Sequence, residues 1–216
     1  MLKAVLLASC FIIGLPAAAA AQTAMPGSES PVSVTIGAAS SYVIEDLGFQ
    51  VDGPVANIGI DYDFGNGWTG NVWGQFGEKD LSKEIDGSLT WLKEFSNGAS
   101  ASVTPAIFLY PSGGSDTIYA LSGEVSVPTG PVAIDFVVDR YMGGYENTVV
   151  SIAATSTVGQ VELSFGKTVL DGAGAKPWFA RVSIPIGPER LGLRAGVRGF
   201  AGKHGDGAVF ELTRSF

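Results

Sequence analysis

The last nine residues, Ala208-Val-Phe-Glu-Leu-Thr-Arg-Ser-Phe216, alternate in character. In an extended strand Ala208, Phe210, Leu212 and Phe216 fall on one side, and Glu211, Thr213 and Ser215 on the other. Arg214 is the exception on the apolar side. The same period of two recurs along most of the chain, and helical periodicity is nearly absent. Glycine, serine, threonine and β-branched residues dominate, which favours strands and turns. Mean hydropathy is positive, yet no 18-residue apolar run follows the N-terminal segment. The apolar residues are spread over alternating strands, so each strand carries one apolar face that needs a cover.

Twelve strands are expected, at about 32–42, 55–64, 68–77, 87–95, 100–110, 117–127, 132–141, 148–157, 161–169, 177–186, 191–201 and 208–216. The connections alternate in length. Gly65-Asn-Gly67, Ser96-Asn-Gly98, Pro128-Thr-Gly-Pro131, Val158-Gly-Gln160 and Gly187-Pro-Glu-Arg190 read as tight turns. Val43–Pro54, Glu78–Asp86, Pro111–Asp116, Met142–Asn147, Leu170–Lys176 and Gly202–Gly207 read as mostly longer loops. Long-short alternation is expected of an up-and-down antiparallel transmembrane β-barrel, with both termini on the short-turn side. A Greek-key sandwich also alternates along its strands, but nothing makes it obey this loop rule.

Outward faces are expected at Val32/Val34/Ile36/Ala38, Ile58/Ile60/Tyr62/Phe64, Val132/Ile134/Phe136/Val138 and Trp178/Ala180/Val182/Ile184/Ile186. Tyr42, Phe64, Trp68, Phe95, Trp178 and Phe216 suit interfacial girdles, or simply fill strands. Strand 87–95 leaves open whether Leu89/Trp91 or Leu92 faces out. Strand 68–77 sends Val72 and Phe76 out and Trp73 in. Arg140 and Lys167 fall on the outer face near strand ends, where snorkelling lowers their cost. Pro105 and Pro185 each remove a ladder donor, and bulges or bends are expected there.

The N-terminus reads as an export signal. Met1-Leu-Lys3 is a short basic start, Ala4–Leu15 an apolar run, and Ala17–Ala21 supplies small residues for cleavage near Ala21/Gln22. The apolar run is too short to span a membrane as a helix. Leu7-Ala-Ser-Cys10 only superficially matches a lipoprotein box, because the apolar run continues past it. The expected organisation is a signal peptide over 1–21, a short periplasmic segment over 22–31 and a barrel over 32–216. Cys10 is the sole cysteine, so cleavage leaves no thiol, disulfide or cysteine-bound metal. The formal net charge is −8, which argues against a nucleic-acid partner.

Alternation also sorts the charges. Asp61, Asp63, Glu124, Asp135, Asp139, Glu162 and Glu211 point inward, as do Arg181, Arg194 and Arg198. A charge on the lipid face at mid-depth costs roughly 2–4 kcal/mol, so these positions suit a wet lumen. They are the candidate pore-lining residues. The arginines gather on two adjacent strands. Glu124, Asp135 and Asp139 would lie on the opposite wall, and walls of unlike charge select ions. The competing reading is a plugged interior in which Arg194, Arg198 and Glu211 pair structurally.

Catalytic signals are weak. His204, the only histidine, sits in the polar loop Lys203-His-Gly-Asp-Gly207 with no serine marked by a motif, so a barrel phospholipase lacks support. Asp61-Tyr-Asp63 reads as lumen lining before it reads as an acid–base or metal pair. Asp171-Gly-Ala-Gly174 and Gly205-Asp-Gly207 lack the ligand count of a calcium site. Gly192-Leu-Arg-Ala-Gly196 fits a strand and lacks the helix a phosphate loop needs. No cofactor, metal or enzymatic activity is expected.

The closing strand with its aromatic end, on a chain that starts with an export signal, resembles bacterial outer-membrane β-barrels. That resemblance implies outer-membrane lipid around the chain and recognition of the strand ending in Phe216 by the barrel-assembly machinery. Gly59-Ile-Asp-Tyr-Asp-Phe64, Gly67-Trp-Thr-Gly-Asn-Val-Trp-Gly74 and Tyr110-Pro-Ser-Gly113 resemble the small proteobacterial porin family of the TorF type. Ser41-Tyr-Val43 roughly matches that family's opening strand, with Glu45-Asp46 where Arg-Gly is usual. The resemblance implies a porin with no catalytic residues. The resulting expectation is a passive channel for small hydrophilic solutes or ions. The alternatives are a closed structural or adhesin-type barrel acting through its loops, and a secreted soluble β-sandwich.

Overall fold

The structure, a computed structural model, describes residues 30–44, 49–79, 82–111, 117–172, 174, 176–187, 191–202 and 205–216. The expected signal peptide and His204 lie outside these residues. Twelve strands follow in chain order: β1 Val32–Ile44, β2 Phe49–Gly65, β3 Trp68–Gly77, β4 Glu84–Glu94, β5 Ser100–Leu109, β6 Ile118–Pro128, β7 Val132–Gly143, β8 Asn147–Val158, β9 Val161–Asp171, β10 Trp178–Pro185, β11 Leu193–Gly202 and β12 Gly205–Ser215. Each pairs antiparallel with its chain neighbours, and β1 pairs with β12, so a single sheet closes into a barrel. A sandwich needs two facing sheets, and closure of one sheet overturns that alternative.

The closing seam is short. Thr35–Ala39 of β1 face Ser215–Glu211 of β12. Phe216 extends it with its main chain: its N–H donates to Val34 O at 2.9 Å, and Val34 N–H donates to Phe216 O at 3.3 Å. The Arg214 guanidinium lies 4.3 Å from the centroid of the Phe216 ring. A cation over an aromatic face is favourable, which accounts for a charge in an otherwise apolar row.

The outer surface is apolar at the expected positions. Ile58, Ile60, Val72, Phe76, Phe136 and Val138 are all exposed. An apolar surface this continuous marks contact with an apolar medium. Leu89 and Trp91 are exposed while Leu92 is half-buried, and Trp73 packs inward against the buried core. Lys167 Nζ sits 4.5 Å from the Trp178 ring centroid, and Trp178 stacks on Phe165. Arg140 donates to Thr148 Oγ1 at 3.1 Å. Both cations reach a partner near strand ends, as snorkelling requires.

Three expectations change. The long loops are shorter than the sequence suggests, because β2 begins at Phe49, β4 at Glu84 and β12 at Gly205. Continued pairing gives these backbone groups partners that a loop would have to find elsewhere. The clean long-short alternation is correspondingly eroded: residues 186–192 separate β10 from β11, whereas only 203–204 separate β11 from β12. Neither proline shifts the register. Pro105 pairs with Leu121 on one side, while the β4–β5 ladder lapses between Ser88↔Ala106 and Trp91↔Val103, where its donor is missing, and Pro185 ends its strand opposite Arg194. The register shift between β1 and β2 falls instead at Gly53-Pro54, where Gly53 has φ +115°. That bulge absorbs a missing donor and a backbone geometry that L side chains rarely adopt. Beyond it Ser41, Tyr42 and Val43 are buried in succession, so Tyr42 points into the barrel and not into a girdle.

The outer belt yields a depth-dependent prediction. Ile60→Arg should destabilise the barrel in lipid by roughly 2–4 kcal/mol, and Val158→Arg, at a strand end, by no more than about 1 kcal/mol. Reversible unfolding in vesicles checks the difference.

Candidate functional site

The interior has two environments. Toward the short-turn end the inward residues are small and polar, and Thr35, Asn71, Thr155, Ser183 and Thr213 are half-exposed. Toward the long-loop end the inward residues are sealed. Val43, Ile118, Val149, Thr168 and Val209 are 0 % exposed, and Glu84 is 1 % exposed.

Aromatic rings fill the sealed half. Tyr42, Phe108, Tyr110, Tyr141, Phe179 and Phe200 belong to one buried cluster contributed by β1, β5 and its following residue, β7, β10 and β11. Glycines make room for the rings. Gly166 pairs with Phe179 and Gly207 with Phe200. A Cβ at either glycine would collide with the facing ring. A small residue where another side chain crosses the strand is a recognised use of glycine in sheets.

A buried carboxylate lies in this cluster. Tyr42 Oη donates to Glu84 Oε2 at 2.7 Å, and Tyr110 Oη donates to Glu84 Oε1 at 2.6 Å. These two bonds tie β1, β4 and the end of β5 together. Sequence reasoning missed Glu84 and the buried Asp86 because Glu78–Asp86 read as loop. The available signal was the alternation Glu84, Asp86, Ser88, Thr90, which continues the inward face of β4 beyond its apolar residues.

The expected inward charges take different roles. Arg194 Nε donates to Ser183 Oγ at 2.9 Å, and its Nη2 lies 3.1 Å from Glu162 Oε1. Arg198 is 6 % exposed; its Nε is 3.0 Å from Glu211 Oε2, and its Nη1 donates to Val43 O at 3.4 Å. Arg181 faces Arg198 on β11 and Ser164 on β9 in register. Asp61 accepts from Asn71 Nδ2 at 2.8 Å and Ser33 Oγ at 3.3 Å. Asp63 is exposed and accepts from Gly65 N at 2.7 Å, so it braces the Asn66-Gly67 turn at the rim.

Asp135 accepts from Ser126 Oγ at 2.6 Å and Thr155 Oγ1 at 2.9 Å. Asp139 accepts from Ser122 Oγ through Oδ1, while its Oδ2 is buried with no hydrogen-bond partner among the described residues. Glu124 lies between them on β6, opposite Val137.

The acidic and basic groups do not stand on opposite walls. With strands in chain order, β8 and β9 alone separate β6–β7 from β10–β11. The wall facing the arginines is β4–β5, which carries Glu84 and Asp86. Asp171 accepts from Asn147 Nδ2 at 2.6 Å, bracing β8 against β9. Among the described residues no group of three or more His, Cys, Asp or Glu side chains is placed to hold a metal ion.

No family model and no curated protein matches the chain. Solved structures share its fold. The KdgM porin is 11 % identical with a TM-score of 0.64 over 85 % of this chain and 99 % of that one. The KdgM porin in complex with disordered oligogalacturonate is 10 % identical with a TM-score of 0.66 over the same shares. The COG4313 outer membrane channel from Pseudomonas putida F1 is 11 % identical with a TM-score of 0.53 over 86 % of this chain and 94 % of that one. At these identities the likeness is one of barrel architecture.

The Glu84 contacts predict the effect of a single deletion. Tyr42→Phe should lower stability by about 1–3 kcal/mol, the range for leaving a buried acceptor without its donor. Denaturant titration of the refolded barrel measures it.

Proposed function

We propose that this chain is an outer-membrane channel for passive diffusion of small hydrophilic solutes or ions. The carrying observation is the sorting of side chains by one closed sheet: a continuous apolar belt outside, with charged and hydroxyl-bearing groups inside. An export signal over 1–21, a likeness to porin folds and the TorF-type motifs support the same reading. The short-turn end with both termini is then periplasmic, and the polar half of the lumen is a vestibule opening there. Lipid surrounds the belt, and the strand ending in Phe216 is what the assembly machinery engages. Asp61, Glu124, Asp135, Asp139, Glu162, Glu211, Arg181, Arg194 and Arg198 line the path, with Asp63 at its periplasmic rim. No residue is assigned a catalytic role.

The aromatic cluster makes this a constricted channel. Its sealed packing also favours the second reading, a closed barrel working through its loops. Refolded mature protein in a planar bilayer separates the two. The channel reading predicts discrete current steps together with a heat-dependent shift in gel mobility. It also predicts that Phe179→Ala, which removes a ring from the constriction, raises single-channel conductance about two-fold or more. A mobility shift with no current in either protein would move the function to the loops.

A further inference from the structure

The charges along the lumen are not balanced locally. Arg194 and Arg198 each have a carboxylate at ion-pair distance, Glu162 at 3.1 Å and Glu211 at 3.0 Å. The β6–β7 wall has no such pairing. Ser122 faces Asp139, Glu124 faces Val137 and Ser126 faces Asp135. Glu124 is therefore the diagonal neighbour of both aspartates, at a Cα separation of roughly 7–8 Å. Asp135 is held by the hydroxyls of Ser126 and Thr155, and Asp139 by that of Ser122. Among the described residues no lysine or arginine pairs with any of the three.

The second observation is the state of Asp139. It is 1 % exposed, and its Oδ2 has no hydrogen-bond partner among the described residues. A buried carboxylate oxygen without a donor is costly unless a cation reaches it or the group takes up a proton. The ladder also has a direction. Asp135 lies nearer the polar vestibule, Asp139 lies deeper, and Tyr141 of the aromatic cluster is the next inward residue on β7. Among the described residues the three carboxylates form no metal-holding group. A dispersed negative wall suits a moving ion, since conduction needs binding strong enough to enter and weak enough to leave.

We propose that the lumen selects small monovalent cations, with Glu124 facing the path and the buried Asp135 and Asp139 behind it adding to the negative field of the β6–β7 wall. The inference rests on the channel reading above and names its permeant class. Arg194 and Arg198, each beside a carboxylate, place the opposite sign on the β10–β11 wall.

Reversal potential in a KCl gradient tests this in planar bilayers, on the wild type and on the Phe179→Ala variant. The expected result is a several-fold permeability preference for K⁺ over Cl⁻. Combined Glu124→Gln, Asp135→Asn and Asp139→Asn should bring the ratio toward unity. Glu124→Gln alone serves as the second variant, because the Glu124 side chain has no hydrogen bond among the described residues to lose; it should shift the ratio in the same direction by a smaller factor. Current with no cation preference, or a preference unmoved by Glu124→Gln, overturns the cation inference and leaves the channel standing. Absence of current in wild type and Phe179→Ala alike overturns the channel itself, and the permeant class with it.

Discussion

Every other feature of this barrel depends on closing the backbone ladder between its first and last strands. In lipid an unpaired N–H or C=O costs several kcal/mol, with no water to satisfy it. An open twelve-strand sheet would present two such edges. Here β1 and β12 meet over few residues, and the main chain of Phe216 itself completes the seam by exchanging hydrogen bonds with Val34. Closure turns strand alternation into a sorting rule, with one set of side chains to the outside and the other to a private interior.

The interior then has to be filled or wetted. A barrel of this size lies between those packed with side chains and those with a broad channel, and this chain does both along its axis. Toward the short-turn end, serine, threonine and paired charges leave accessible space. Toward the long-loop end, rings from several strands meet over glycines. The ring of Phe179 occupies space left by Gly166, and that of Phe200 the space left by Gly207. Glu84 fixes the same layer from the polar side, accepting two tyrosine hydroxyls from separate parts of the wall. This layer of apolar contacts and tyrosine–carboxyl hydrogen bonds divides the interior into an open half and a sealed half.

How much of this the sequence disclosed follows from the range of each interaction. Strand number and the outward face depend on local alternation, and Ile58, Ile60 and Phe136 reveal it residue by residue. The inward direction of Asp135, Asp139, Arg194 and Arg198 follows from the same period. Position around the barrel and contact across it do not. Tyr42 reads as a girdle residue until the bulge at Gly53-Pro54 changes its aim. Glu84 and Asp86 read as loop because polar inward positions at a strand end look like loop composition. Asp63 obeys the alternation yet spends its carboxylate on a turn. The pairing of Arg198 with Glu211 is legible only as adjacency of strands, and the register decides which groups meet.

The division of the interior into a wet half and a sealed half is the claim on which the proposed channel turns, and thiol accessibility tests it most directly. Cys10 is the chain's only cysteine, so a single cysteine introduced into the barrel of a protein free of Cys10 reports alone. In folded barrels in vesicles, a small membrane-impermeant maleimide should label Ser33→Cys and Ser183→Cys quickly. Ser151→Cys and Thr168→Cys, which also face inward but lie in the sealed half, should stay unlabelled until Phe179→Ala is added. Equal labelling at all four positions, or labelling at none, would contradict an interior with an open half and a sealed half.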